Sequence, residues 1–144
     1  MKSPIRMAVS AAVVTLALAV GAFTPVRAEI LVQVNKSTQR MLVTVNGVKR
    51  YNWVVSTGRE GLVTPNGVFH PHLMERMHIS RQFGGEEMPY SIFFSSVAIH
   101  GTTDISRLGR PVSHGCVRLH PSHAATLYGL VGRDILSNTR IEIN

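Results

Sequence analysis

Apolar and polar positions alternate with a period of two in short runs along most of the chain beyond Ala28. In "EILVQVN" Ile30, Val32 and Val34 share a face, and in "RMLVTVN" Met41, Val43 and Val45 lie opposite Leu42 and Thr44. That is the spacing of half-buried strands. Asn46-Gly47 predicts a two-residue hairpin turn into a third strand, "VKRYNWVVSTG", so the opening reads as a β-meander. Pro65-Asn66-Gly67 marks a turn with "VFHPH" as a short strand after it, "YSIFFSSVAIHG" delivers His100 at a strand end, and "TRIEIN" closes the chain as a strand with Ile141 and Ile143 together. A single stretch carries helical spacing. Pro121 opens it, Ala124, Leu127, Tyr128 and Val131 fall on one face, and Gly132 stops it.

Two segments break the pattern. Leu73 to Pro89 mixes Met74, Met77, Phe83 and Met88 with charges and Gly84-Gly85 without a clear period, and reads as a long surface excursion, a candidate cleft wall. The first 28 residues have Lys2 and Arg6 ahead of an apolar run from Met7 to Phe23, then Val26-Arg27-Ala28. This is the layout of an export leader cleaved after Ala28, the run being short of the roughly 20 residues of a spanning helix. A retained anchor is the alternative. Residues 29–144 then form one domain, not an integral membrane protein.

Losing Lys2, Arg6 and Arg27 with the leader takes the formal charge from +7 to +4. A mildly basic exported domain suits an anionic envelope, and no basic stripe with interleaved aromatics points to nucleic acid.

The chain has a single cysteine, Cys116, in a compartment where cysteines usually pair. Free cysteine is most often an inert buried residue, but the surroundings of this one favour a reactive thiol. His100 stands sixteen residues upstream, where a returning loop could bring its imidazole to the sulfur as a base, and His114 lies two residues before the thiol. Gly115 lets the backbone turn so that amides can face one oxygen atom, and Arg118 can place a fixed charge by a substrate carboxylate or sit in an ion pair.

Together "IHGT", "SHGCVRL", "VVSTG" and "TPNGVF", in this order, resemble the L,D-transpeptidases of bacterial cell walls, the YkuD-like catalytic domain, over nearly all of residues 29–144. The resemblance implies a mainly β fold: a β-sandwich with one short helix after the cysteine loop. It implies Cys116 as nucleophile and His100 as base, oriented through the backbone of Gly101. Backbone groups of His114, Gly115 and Cys116 would bind the oxyanion, with Ser113 shaping the site. The implied reaction takes a peptidoglycan stem tetrapeptide, releases D-Ala and passes the thioester to an amine of a stem peptide, a D-amino acid or an envelope protein. No metal or organic cofactor is implied. After "CVRL" many relatives continue with Asn or Ser and Asp, whereas this chain has "HPSHAAT", which leaves the roles of His120, Ser122 and His123 open.

Phe83 and Met77 are candidate donor-groove residues because the irregular segment holds them. Hydrolysis of the same thioester, an L,D-carboxypeptidase activity, is the nearest alternative. A periplasmic metal-binding protein using His70, His72, His100, His114, Cys116, His120 and His123 is the other, disfavoured by the prolines beside those histidines and the lack of a second cysteine. His70, His72 and His78 otherwise read as exposed or locally bonded, and Trp53 and Tyr90 as core.

Overall fold

The structure is a computed structural model that describes residues 29–144, so the leader read over residues 1–28 lies outside the described residues. Strands β1 (Ile30–Asn35), β2 (Arg40–Val45) and β3 (Val48–Val54) form the expected antiparallel meander. Asn46 and Gly47, with φ of 50° and 76°, make the hairpin turn. β4 (Gly67–Phe69) pairs with the last strand, β9 (Thr139–Ile143), which runs parallel to β1 and completes a five-stranded sheet in the order β3-β2-β1-β9-β4.

The second sheet, in the order β5-β6-β7-β8, comprises β5 (Leu73–Ser80), β6 (Glu86–Phe94), β7 (Val97–Gly101) and β8 (Val117–Leu119). Helix α1 (Pro121–Val131) follows β8 directly. One apolar cluster joins Val32, Met41 and Ile141 of the first sheet to Phe94, Ile99 and Leu119 of the second and to Leu127 of the helix. The alternation that sends every second side chain inward therefore seals two sheets and one helix around a common core.

Three expectations are corrected. Leu73 to Pro89 is not an irregular excursion: it is β5, a 3-10 turn (Arg81–Phe83) and the start of β6, a hairpin in register from Leu73↔Phe93 to Ser80↔Glu86. Its period was hidden because both faces carry mixed chemistry. Met74, His78 and Ser80 alternate with Leu73, Met77 and Ile79, and the face bearing His78 and Ser80 lines a cavity instead of the dry core. "YSIFFSSVAIHG" is likewise two strands, β6 and β7, folded back at Ser95, whose φ is 49°.

The third predicted strand also divides. Beyond Val54 the chain leaves the first sheet, and Ser56 and Arg118 exchange backbone hydrogen bonds of 3.0 and 2.8 Å. Further on, Gly58 bridges to Ser113. This crossing segment ties the meander to the cysteine loop, and it needs glycine at 58. A Cβ there would stand 2.0 Å from the Leu62 carbonyl oxygen and 3.0 Å from Gly115 Cα, so the two backbones touch. Gly58→Ala is expected to cost about 1–3 kcal/mol, the usual range for overpacking, read as a lower urea midpoint by circular dichroism. An unchanged midpoint would show that the loops separate without cost.

Candidate active site

β7 and β8 are parallel neighbours, with Ile99 opposite Val117 and His100 opposite Arg118. Side chains alternate across a strand, so His100 and Ala98 on β7 face the same side as Arg118 and Cys116 on β8 and its lead-in. Ile99, Val117 and Leu119 point the other way, into the core. The chain reaches Cys116 from His100 through a long loop that holds a 3-10 turn (Ile105–Arg107). A separation of sixteen residues thus becomes adjacency. His100, Cys116, Arg118, His114, Phe83 and Glu86 all line one cavity of about 130 Å³.

His100 is 1% exposed, and its Nδ1 lies 2.7 Å from the carbonyl oxygen of Gly101. A carbonyl can only accept, so Nδ1 carries the proton and the neutral ring keeps Nε2 as its basic nitrogen. Burial pushes the imidazole below its ordinary value of 6.5, partly opposed by the Gly101 hydrogen bond. Gly101 serves this contact by its backbone, and a Cβ there would press to 3.1 Å on both Pro121 and Pro89. Burial also pushes the Cys116 thiol up from 9.0, offset in part by a backbone hydrogen bond from Ala98. Cys116 is a free thiol. In the resting site both groups are neutral, which suits transfer of a proton from sulfur to imidazole during attack.

The turn before the sulfur is locked from several sides. Gly115 has φ of 120°, a conformation that L side chains rarely adopt. The buried Ser113 hydroxyl donates to the Cys116 carbonyl at 2.5 Å and accepts from the Gly115 N–H at 3.1 Å. The Gly115 N–H is thus engaged inside the turn. The Thr64 hydroxyl accepts from Gly58 N–H and donates to the Gly115 carbonyl, both at 2.8 Å. In a trans peptide the N–H points opposite to the carbonyl, so Thr64 aims the Cys116 N–H away from itself. Behind this turn Ser113 N–H donates to the Thr57 carbonyl at 3.0 Å, and the side chains of Thr57 and Gln39 are bonded at 2.7 Å. Lys36 Nζ donates to the Thr64 carbonyl at 2.9 Å.

Arg118 is 7% exposed, and its Nη2 donates to Glu86 Oε1 at 2.6 Å while its Nε is buried without a partner. Of the two sequence readings, the ion pair is the one formed, though in the cavity wall rather than on the surface. Phe83 stacks on His114 at 4.3 Å between ring centroids, which brings the tip of the β5–β6 hairpin over the cysteine turn. Met77 is 52% exposed and belongs to the strand face opposite His78, so it does not line the cavity, whereas Met88 does. Of the histidines proposed as metal ligands, His100 and His114 line the cavity with Cys116, while His70, His72, His120 and His123 lie outside it. His70 bonds the Thr139 carbonyl, His72 the Ser95 carbonyl, and His123 stacks on Trp53. Among the described residues no three His, Cys, Asp or Glu side chains are grouped to hold a metal ion. His120 accepts from Ser122 N–H at 3.2 Å and so caps α1.

Sequence reasoning missed Thr64, Thr57, Gln39 and Glu86. The quoted strings "VVSTG" and "TPNG" contained two of them, but their purpose lies in hydrogen bonds to the Gly115 turn, which no local pattern displays. Glu86 was passed over inside the segment read as irregular.

Comparison with known proteins finds a matching family and similar structures. The sequence profile of the YkuD L,D-transpeptidase catalytic domain matches residues 29–143. An L,D-transpeptidase from Stackebrandtia nassauensis is similar in structure with a TM-score of 0.70 and 27% identity, covering 81% of this chain and 55% of that one. For an L,D-transpeptidase from Mycobacterium smegmatis the values are 0.73, 21%, 81% and 59%. For an L,D-transpeptidase solved in complex with imipenem they are 0.72, 23%, 81% and 59%. The chain therefore spans less than two thirds of the length of these structures. No curated protein matches it. With the profile covering the whole span from the first strand to the last, the chain belongs to the L,D-transpeptidase catalytic-domain family, YkuD.

Proposed function

We propose that this protein is a peptidoglycan L,D-transpeptidase in which Cys116 is the nucleophile and His100 the base. The observation that carries the reading is the shared cavity on two adjacent parallel strands, with the His100 Nδ1–H held by the Gly101 carbonyl so that Nε2 is the proton acceptor. Residues 29–144 form the catalytic domain. The first 28 residues are an export leader, which puts the enzyme in the periplasm with its wall substrate.

The sulfur attacks the carbonyl carbon on the N-terminal side of D-Ala in a stem tetrapeptide as its proton passes to His100 Nε2. The carbonyl oxygen takes up negative charge beside the Cys116 N–H that Thr64 aims. Collapse breaks the C–N bond, His100 returns the proton to the leaving nitrogen, and D-Ala departs. An acceptor amine then attacks the thioester, gives its proton to His100, and the C–S bond breaks as the proton returns to sulfur. A second concavity, with Leu62 and Val63 in its wall, shares Cys116, Phe83 and His114 with the first, so the sulfur can be approached from two sides. That favours transfer to an amine, from a stem peptide, a D-amino acid or an envelope protein, over hydrolysis. Phe83 contributes an apolar wall to both approaches.

Incubation of the enzyme with a disaccharide tetrapeptide and excess D-Met tests the reaction. Loss of D-Ala with D-Met incorporated is expected, and tripeptide alone would make the protein a carboxypeptidase. Cys116→Ala should abolish both, and His100→Ala should lower turnover by about 10²–10⁴-fold, the usual worth of a positioned base. A variant lacking the sulfur that retained full turnover would exclude Cys116.

The pH dependence has a definite sign. Protonated His100 cannot accept a proton, and its value lies below 6.5, so kcat/KM should be flat through neutral pH and fall only in the acid range below 6.5. The unfolded chain protonates this imidazole first, so its burial also removes stability as pH falls from 6.5 through the lower folded value. A kcat/KM profile already halved at pH 7 would contradict the assignment.

A further inference from the structure

Strand alternation gives the five-stranded sheet an outer face of its own. Met41 and Val43 of β2 are buried in the core, so Arg40 and Leu42 point away from it, and pairing places Gln33 of β1 and Asn52 of β3 on either side of Leu42. Around this row lies an open concavity of about 530 Å³, lined also by Asn35 and Lys49. No acidic side chain lines it, and Asn144 in its wall has its backbone oxygen turned to Lys36 N–H at 2.9 Å. Arg40 directs Nε to Asn52 Oδ1 at 3.1 Å and Nη2 to the Asn52 carbonyl at 3.4 Å, a neutral partner that fixes the guanidinium without cancelling its charge. The rest of its five N–H groups are left for a ligand. Among the described residues neither Arg40 nor Lys49 is in an ion pair. Glu142, the neighbouring carboxylate opposite Gln33, is already held by Arg140 Nη2 at 2.8 Å and by Gln33 Nε2 at 2.8 Å.

A face that only had to stay soluble would mix both signs of charge and would need no hollow. Here two uncompensated cations converge with the carboxamides of Gln33, Asn35 and Asn52 on a concave surface, which is the chemistry that receives carboxylates and peptide groups. A flat lipid surface fits a concavity poorly, no aromatic ring lines it for a sugar to stack on, and a second copy would set like charges against each other. We propose that this face is a second, non-catalytic binding site for the carboxylate-bearing stem peptides of peptidoglycan. The identity of the ligand rests on the peptidoglycan reading of the enzyme. His100 and Cys116 open from the outer face of the other sheet with the core between, so one stem peptide is held here while another reacts at the sulfur. Such a hold raises the concentration of donors at the cavity and leaves the chemistry untouched.

Binding to insoluble peptidoglycan sacculi is measured for the full-length Cys116→Ala protein, which cannot turn over, and for the same protein carrying Arg40→Gln and Lys49→Gln. The cavity at residue 116 is common to both, so their ratio isolates the far face. We expect affinity about tenfold lower with the two substitutions, and equal affinity overturns the proposal. Arg76→Gln with Arg110→Gln removes the same charge from exposed positions elsewhere and should leave affinity unchanged. An equal loss there would mean general attraction and would also overturn it. Sacculi stripped of stem peptides by an amidase should bind the Cys116→Ala protein no better than intact sacculi bind the doubly substituted one, whereas undiminished binding makes glycan the ligand and overturns the peptide assignment. With Cys116 intact, Arg40→Gln and Lys49→Gln should leave turnover of a soluble disaccharide tetrapeptide with D-Met at the wild-type rate, which also shows that the fold holds. A matching fall in turnover would place these residues in the reaction and overturn a non-catalytic site. Each substitution alone, expected to cost about threefold in sacculus affinity, decides the matter if the pair does not fold. Far-face binding without turnover of the soluble donor would sink the acyl-transfer reading and leave the site standing.

Discussion

The parallel pairing of Val97–Gly101 with Val117–Leu119 is the constraint from which the site follows. A parallel neighbour requires a long connection, and here the loop between the strands starts just after His100 and returns just before Cys116. Strand alternation then puts imidazole and sulfur on one side and Ile99, Val117 and Leu119 on the other. The same three apolar residues that hold the strands in the core thereby fix the face presented by the two reactive groups. A one-residue slip of register would bury the wrong set and scatter the site, so packing energy guards the geometry.

Around that pairing the protein spends polar groups on backbone placement. Ser113, Thr64, Thr57 and Gln39 are all buried, and each hydroxyl or amide has a partner in the turn before Cys116 or in a segment touching it. Buried polar groups stabilise only when satisfied, and these are. The consequence is a rigid Gly115–Cys116 peptide whose N–H direction is set before substrate arrives, as preorganised oxyanion stabilisation requires. Gly58 and Gly115 are the points where this close approach excludes a side chain or demands a left-handed backbone.

Much of this was legible in the sequence. The meander, the helix with its face of Ala124, Leu127 and Val131, and the final strand all follow from period and turn residues, because their buried faces are uniformly apolar. The β5–β6 hairpin escaped because one face lines a cavity and so lacks an apolar stripe. The single unpaired cysteine and the glycine beside it could be noticed from composition, and the family resemblance supplied His100. Residues that act through hydrogen bonds to distant backbone, such as Thr64, leave no local pattern. Glu86 faces Arg118 across a separation of 32 residues, and only the folded hairpin brings them together.

Electrostatically the site holds its reactive pair neutral until use. Burial raises the thiol and lowers the imidazole, while Arg118 and Glu86 act on both groups with opposite signs. The account stands on Cys116 becoming acylated with His100 as its base. Time-resolved intact-protein mass spectrometry with imipenem, followed by peptide mapping, tests this directly. The predicted result is a single adduct on the Cys116 peptide that forms far more slowly in His100→Ala, whereas an adduct elsewhere, or an unchanged rate without His100, would contradict it.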